Sequence, residues 1–321
     1  MTDDRKKTSV CCLLFSVLCL LIITGCGPEY TYPANKVAES IEKICQDEYK
    51  IKVEARVVGK TVGALFFMDN ALDNKGQLSK EIHEQMGKIM QVLTRVTLST
   101  DLPVDYCVVI LRDRVYANEL IITRSVDDTK RANAEMIGVE ESINRTVFGQ
   151  RHIDVTPQNE PFILKEVQTP EFLADQVIQR VRYASAKDTK VEAQIAFLLM
   201  DGSYEPEEKN FRFSYVSLKP TDPKQLLLDV FHQANQVLKA YQFTDFKALE
   251  ILDYMHRQKL TIDAKAIQQY QDKKITDDDV FSRFVSQSAT MQEAFKLFGF
   301  NTPTNIPDET AAVVPVTEAA R

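Results

Sequence analysis

The sequence predicts an α+β protein made of two sandwiches, each a small antiparallel sheet with helices on one face. Three observations lead there. Short runs alternate apolar and polar residues, the period of a half-buried strand. Longer runs between them place apolar residues three and four apart, the period of an amphipathic helix. The order of these runs, α-β-β-α-β-β-α, then occurs a second time.

In the first unit, residues 34–148, Ala34 to Gln46 reads as a helix with Val37, Ile41 and Ile44 on one face. Tyr49 to Val58 alternates, with Ile51, Val53, Ala55 and Val57 facing one way. Gly59-Lys60 makes a turn into a second strand, Thr61 to Met68, and Asp69 to Gln77 is a polar loop. Ser79 to Leu98 is a long helix with Ile82, Met86, Ile89, Met90, Leu93 and Val96 inward. Strands follow at Tyr106 to Leu111 and Leu120 to Arg124, then a helix over Asp127 to Arg145. Asp127 and Asp128 suit the positive end of its dipole.

Residues 149–168, with Pro157 and Pro161, read as a linker. The second unit, residues 169–300, opens with a helix from Pro170 to Ala184, capped at Thr169. Val191 to Met200 and Asn210 to Leu218 are strands across a turn at Asp201 to Glu208. Pro223 to Tyr241 is a helix. Phe246 to Tyr254 fits a helix by spacing, or a hairpin with Lys259 to Ile262 by analogy with the first unit. Helices at Asp277 to Ser288 and Met291 to Phe298 close the unit, and residues 301–321 have the composition of a disordered tail.

Few chemical motifs withstand inspection. Gly59-Lys60-Thr61 looks like the end of a phosphate loop, but Glu54 stands where that loop needs glycine, and the segment joins two strands. Asp69 to Gly76 has a calcium-loop composition, yet its register puts Ala71, Lys75 and Ile82 at ligand positions. His83, His152, His232 and His256 are scattered, with no zinc spacing. His152-Ile153-Asp154 is the one acid–base candidate pair, and no nucleophile elbow accompanies it. Asp277-Asp278-Asp279 after Thr276 reads as a helix cap. No catalytic residue, metal ligand or cofactor is assigned.

The N-terminus is more specific. Arg5, Lys6 and Lys7 precede 14 apolar-run residues, Val10 to Ile23, broken only by Ser16. That is too short for a hydrocarbon layer, which takes about 20 residues, and suits a signal peptide over residues 1–25. The run ends in Ile23-Thr24-Gly25-Cys26, which resembles the lipobox of bacterial lipoproteins. The resemblance covers residues 1–27 and implies cleavage between Gly25 and Cys26, with a diacylglyceryl group on the Cys26 thiol. Residues 26–33 would then be the lipidated cysteine and its spacer. An ordinary signal peptide with Cys26 unmodified and an uncleaved membrane anchor are the alternatives. Gly27, where Asp would favour inner-membrane retention, is compatible with an outer membrane. The expected location is the bacterial cell envelope, facing periplasm or exterior.

The mature 296 residues hold 36 basic and 44 acidic side chains, net −8. A phosphate backbone asks for clustered basic residues, so nucleic acid is not an expected partner. Cys45 and Cys107 are a candidate disulfide in an oxidising compartment, or two buried thiols. Tryptophan is absent and glycine scarce, 10 in 321.

Three functional classes follow. The first is a non-enzymatic binding or assembly module with an envelope protein partner, pairing through an edge strand such as Asn210 to Leu218. The second is a small-molecule or lipid carrier, with Phe66, Phe67, Phe197, Phe211 and Phe213 lining a cavity. The third is an envelope hydrolase with a site assembled from distant residues.

Overall fold

One pattern of strand pairing is used twice. The computed structural model describes residues 31–71, 78–153, 161–187, 198–217 and 222–287. The chain divides into two compact units, at Val167 and Gln168. In the first, helix α1 (Val37–Tyr49) leads into β1 (Glu54–Val58) and β2 (Thr61–Met68). Helix α2 (Lys80–Thr97) crosses to β3 (Tyr106–Asp113) and β4 (Asn118–Ser125). Two short helices, α3 (Val126–Asn133) and α4 (Val139–Asn144), precede β5 (Val147–His152).

The second unit repeats this element by element. Helix α5 (Thr169–Lys187), β6 (Leu198–Glu205), β7 (Asn210–Ser217) and α6 (Pro223–Ala240) come first. Then follow β8 (Ala248–Asp253), β9 (Gln258–Asp263), α7 (Ala264–Gln271), α8 (Asp277–Phe284) and β10 (Val285–Gln287). Strand order is β1-β2-β3-β4-β5 in one sheet and β6-β7-β8-β9-β10 in the other.

Each sheet is mixed, which corrects the expected antiparallel sheets. β2 runs parallel to β3 and β7 parallel to β8, while every other pair is antiparallel. A tight turn can only reverse a strand; a parallel neighbour needs a crossover of a dozen or more residues, here α2 or α6.

The match extends to backbone detail. Asp105 N–H donates to Lys60 C=O in the first unit, and Lys247 N–H to Lys209 C=O in the second. The β3–β4 and β8–β9 turns each begin with a buried aspartate, Asp113 and Asp253, that accepts turn N–H groups. Each turn ends on a left-handed residue, Ala117 (φ 52°) and Arg257 (φ 55°). Left-handed Glu135 and Lys273 then close α3 and α7, with Met136 N–H reaching Arg131 C=O and Lys274 N–H reaching Gln269 C=O. That stop divides the single helix expected over Asp127 to Arg145 into α3 and α4.

Helices cover one face of the first sheet. Ile41, Cys45, Met86, Ile89 and Leu93 pack with Val62, Ala64, Phe66, Val109 and Leu111 in one buried cluster. Full burial of each Val, Leu, Ile, Met or Phe side chain among them contributes about 1.5–3 kcal/mol. The other face is covered by residues 161–167. Phe162 and Leu164 cluster there with Leu65, Val108 and Ile110, Glu166 Oε1 accepts Lys60 N–H at 2.9 Å, and Val167 N–H donates to Thr61 Oγ1 at 2.9 Å. So the expected linker over 149–168 holds most of a strand and a packed cover in its described parts. Gly63 is required by this cover: a Cβ there would lie 2.6 Å from Leu164 Cδ1.

In the second unit Asn210 to Ser217 is β7, an interior strand, which corrects its reading as an edge. Its aromatics, Phe211, Phe213 and Tyr215, are buried. The Phe246–Tyr254 ambiguity resolves as a strand, β8, in a hairpin with β9. The helix from Asp277 ends at Phe284, where β10 begins. The start of the strand expected from Val191, the helix over Met291 to Phe298 and the tail 301–321 lie outside the described residues.

Candidate functional site

The helix layer of the first unit leaves part of the sheet bare. Ile122 and Arg124 on β4 and Phe148 on β5 form the floor of a groove of about 570 Å3. Met86, Gly87, Met90 and Thr94 on α2, with Leu98 just past its end, form one wall. Thr129 and Asn133 on α3 stand opposite. The volume lies within the ~300–1,000 Å3 typical of small-molecule sites.

Arg124 is the unusual member. It pairs with Cys107 across the β3–β4 ladder, so it shares the helix face with Leu120 and Ile122. Its Nε donates to Thr146 Oγ1 at 3.2 Å. Among the described residues, no carboxylate lies within salt-bridge distance of its guanidinium. Asp128, whose field reaches it, pairs with Arg145 Nη1 at 2.8 Å, and Arg95, which also lines the groove, is held by Glu48 through two hydrogen bonds. Burial lowers the pKa of Arg124, against a smaller opposing effect of the Cys107 and Asp128 fields. A guanidinium keeps its charge in proteins, so the groove holds a half-buried cation among apolar side chains.

The second unit acts as an internal control. Superposing burial patterns along the helices sets Met86, Met90, Leu93 and Val96 of α2 on Leu227, Phe231, Ala234 and Val237 of α6. Gly87 then corresponds to Leu228, and Thr94 to Asn235. The shared backbone bonds set Arg124 on Ile262, Thr129 on Ile267 and Ala132 on Tyr270. Leu228, Ile262 and Ile267 are buried. The Tyr270 ring lies edge-on to Phe231, 4.9 Å between centroids, and its hydroxyl donates to Asp277 at 2.7 Å. Gln271 Nε2 donates to Asn235 Oδ1 at 2.9 Å, joining α7 to α6. What remains is a recess of about 360 Å3 at the end of α6, lined by helix and loop residues and by no strand. Larger buried side chains, Leu228 and Ile267, stand in one unit where Gly87 and Thr129 line the groove of the other.

The residues singled out from sequence lie apart from this groove, with one exception. His83 lines it, exposed on α2. Cys26 and Gly25 lie outside the described residues. Cys45 and Cys107 are free, buried thiols, so they form no disulfide; burial pushes each pKa up to about 11. His152 is exposed and contacts Asn118 Oδ1 at 3.3 Å, while Asp154 lies outside the described residues. Phe66, Phe211 and Phe213 fill cores, and Phe67 lies under the Arg112 guanidinium on the opposite face; Phe197 is outside the described residues. Asp279 completes a capping box with Thr276, and Asp277 instead binds His232 Nε2 at 2.9 Å.

Arg124 carried a readable signal. In Leu120-Ile121-Ile122-Thr123-Arg124 the period of two puts the arginine on the face of Leu120 and Ile122. Among the described residues, no group of three or more His, Cys, Asp or Glu could hold a metal ion, and no helix is long and apolar enough to cross a membrane. No protein-family model, no curated protein and no solved structure matches the chain.

Proposed function

We propose that this chain is a non-enzymatic binding module, held at a bacterial envelope membrane by a diacylglyceryl group on Cys26, with the groove of its first unit as the binding site. The observation that carries the site is the contrast between the units: one fold is left open where its duplicate is filled. The anchor is supported by the lipobox pattern at Ile23 to Cys26. A small-molecule or lipid carrier is the form of this reading that an apolar, cation-bearing groove favours over a protein-assembly role. Nothing in the arrangement of His152 favours a hydrolase.

The test starts from the lipidated protein purified from its native cells. Mass spectrometry reads the N-terminal adduct and any retained molecule, for the wild type and for Gly87→Trp. Gly87 lines the groove, and a Cβ added there meets nothing within 4 Å outside its own stretch of helix, so the substitution is expected to place the indole in the groove. The expected result is an acylated Cys26 and a retained species lost in Gly87→Trp. An unmodified Cys26 contradicts the anchor, and a retained species indifferent to Gly87→Trp contradicts the site.

A further inference from the structure

We propose that the groove binds a single-chain anionic amphiphile, an aliphatic carboxylate, taken from the membrane surface to which the chain is tethered. This names the ligand of the binding-module reading and rests on it. Three observations converge. The first is charge. With Nε committed to Thr146 and, among the described residues, no partner at either Nη, the two Nη groups of Arg124 can receive an anion, and a planar carboxylate matches that fork. The second is lining. Met86, Met90, Ile122, Phe148 and Leu98 surround the cation with apolar surface, which suits an alkyl chain attached to the head. A free inorganic anion would leave that surface wet.

The third is the tether. Tyr32 N–H donates to Ser99 C=O at 3.1 Å, and Ala34 N–H to Asp101 Oδ1 at 2.7 Å. Tyr32 and Ala34 are therefore pinned beside Leu98, the residue at the groove's α2 end. Five residues lie between Cys26 and Tyr32, so six residue steps span at most about 22 Å of extended chain. A lipid on Cys26 thus holds this end of the groove close to the bilayer, where single-chain amphiphiles reside.

The experiment uses the whole mature chain with Cys26→Ser, which carries no acyl group of its own. Dodecanoate, dodecyl phosphate, dodecanol and dodecylammonium are titrated below their micelle concentrations by calorimetry. The proposal expects one saturable site for dodecanoate, weaker binding of dodecanol and none of dodecylammonium. Arg124→Gln should weaken dodecanoate roughly ten- to a hundredfold, the loss of charge-assisted hydrogen bonds, and leave dodecanol unchanged. Arg124→Lys should recover part of the loss, and Gly87→Trp should abolish both ligands, with circular dichroism spectra like the wild type's. Dodecylammonium binding as tightly as dodecanoate, or dodecanoate indifferent to Arg124→Gln, overturns the proposal; tighter dodecyl phosphate overturns the choice of carboxylate. If dodecanoate fails while a species from native cells is still lost in Gly87→Trp, the ligand class falls and the binding module stands. If neither binds, both fall.

Discussion

Arg124 and Ile262 hold the same position in two copies of one fold, the last inward-facing residue of a strand before a short helix. Arg124 opens onto a groove with no carboxylate partner among the described residues, and Ile262 is sealed in a core. Filling the first site with the second unit's residue should stabilise the first unit and remove its ligand. Arg124→Ile is expected to raise its denaturation midpoint, because a half-buried charge is replaced by burial of apolar surface. A fall in the midpoint would show that the guanidinium holds the sheet together.

The cover over the outer face depends on the absence of a side chain at Gly63. Gly63→Val should cost about 1–3 kcal/mol through overpacking against Leu164. Adding Leu164→Ala should recover part of that loss, so the double variant is less destabilised than the sum of the singles. Urea unfolding of the four proteins of this cycle measures the coupling.

Arg112 and Glu119 form a nearly fully buried pair, with Nη2 and Oε1 2.6 Å apart, and Arg151 reaches the second oxygen of the same carboxylate. Glu119→Gln removes the charge the two guanidiniums share. A loss of about 3–5 kcal/mol is expected, as for other broken buried pairs, measured by chemical denaturation. A loss near zero would mean that water already solvates the pair.

Asp277 ties α8 to α6. Burial alone would raise its pKa, but hydrogen bonds from His232 and Tyr270 outweigh that and hold it below the ordinary carboxylate value. A depressed carboxylate contributes stability above its unfolded pKa of about 3.9, and that stability is lost as pH falls through the folded value. Protection of the α8 amides, with exchange corrected for the intrinsic rate at each pH, should therefore fall below about pH 4. Asp277→Asn should remove this pH dependence.

The two mature-chain thiols besides Cys26 should be inert in the native protein. Burial pushes both pKa values up to about 11, so little thiolate exists near neutrality. In the Cys26→Ser chain, a thiol reagent at pH 8 should label neither Cys45 nor Cys107 before unfolding. It should label both after unfolding without reductant. Labelling that needs reductant would contradict the free thiols.

Local pattern made most elements legible. Thr61 to Met68, a nearly continuous apolar run, forms β2 with the bounds expected from sequence, and the α2 stripe from Ile82 to Val96 is the buried face. Pairing was less legible, because a parallel neighbour is a property of the crossover and leaves no mark on either strand's own alternation. The stop after α3 was hidden because the left-handed residues are Glu135 and Lys273, where glycine would have marked it. Helix α7 and the three-residue β10 were missed for want of length. The groove was invisible for a different reason. It is made by what side chains leave unfilled, and Gly87 and Thr129 mean nothing until Leu228 and Ile267 are seen in their places.

The first unit's groove is the proposed binding site, and methionine methyl groups report on it directly. Met86 and Met90 line the groove, while Met200 is buried in the second unit. Methyl-labelled Cys26→Ser chain, titrated with lipid extracted from the native membrane and followed by NMR, should show shifts at Met86 and Met90 that saturate, with Met200 unmoved. Saturating shifts at Met200 alone, or no saturable shift at Met86 and Met90, would contradict the account.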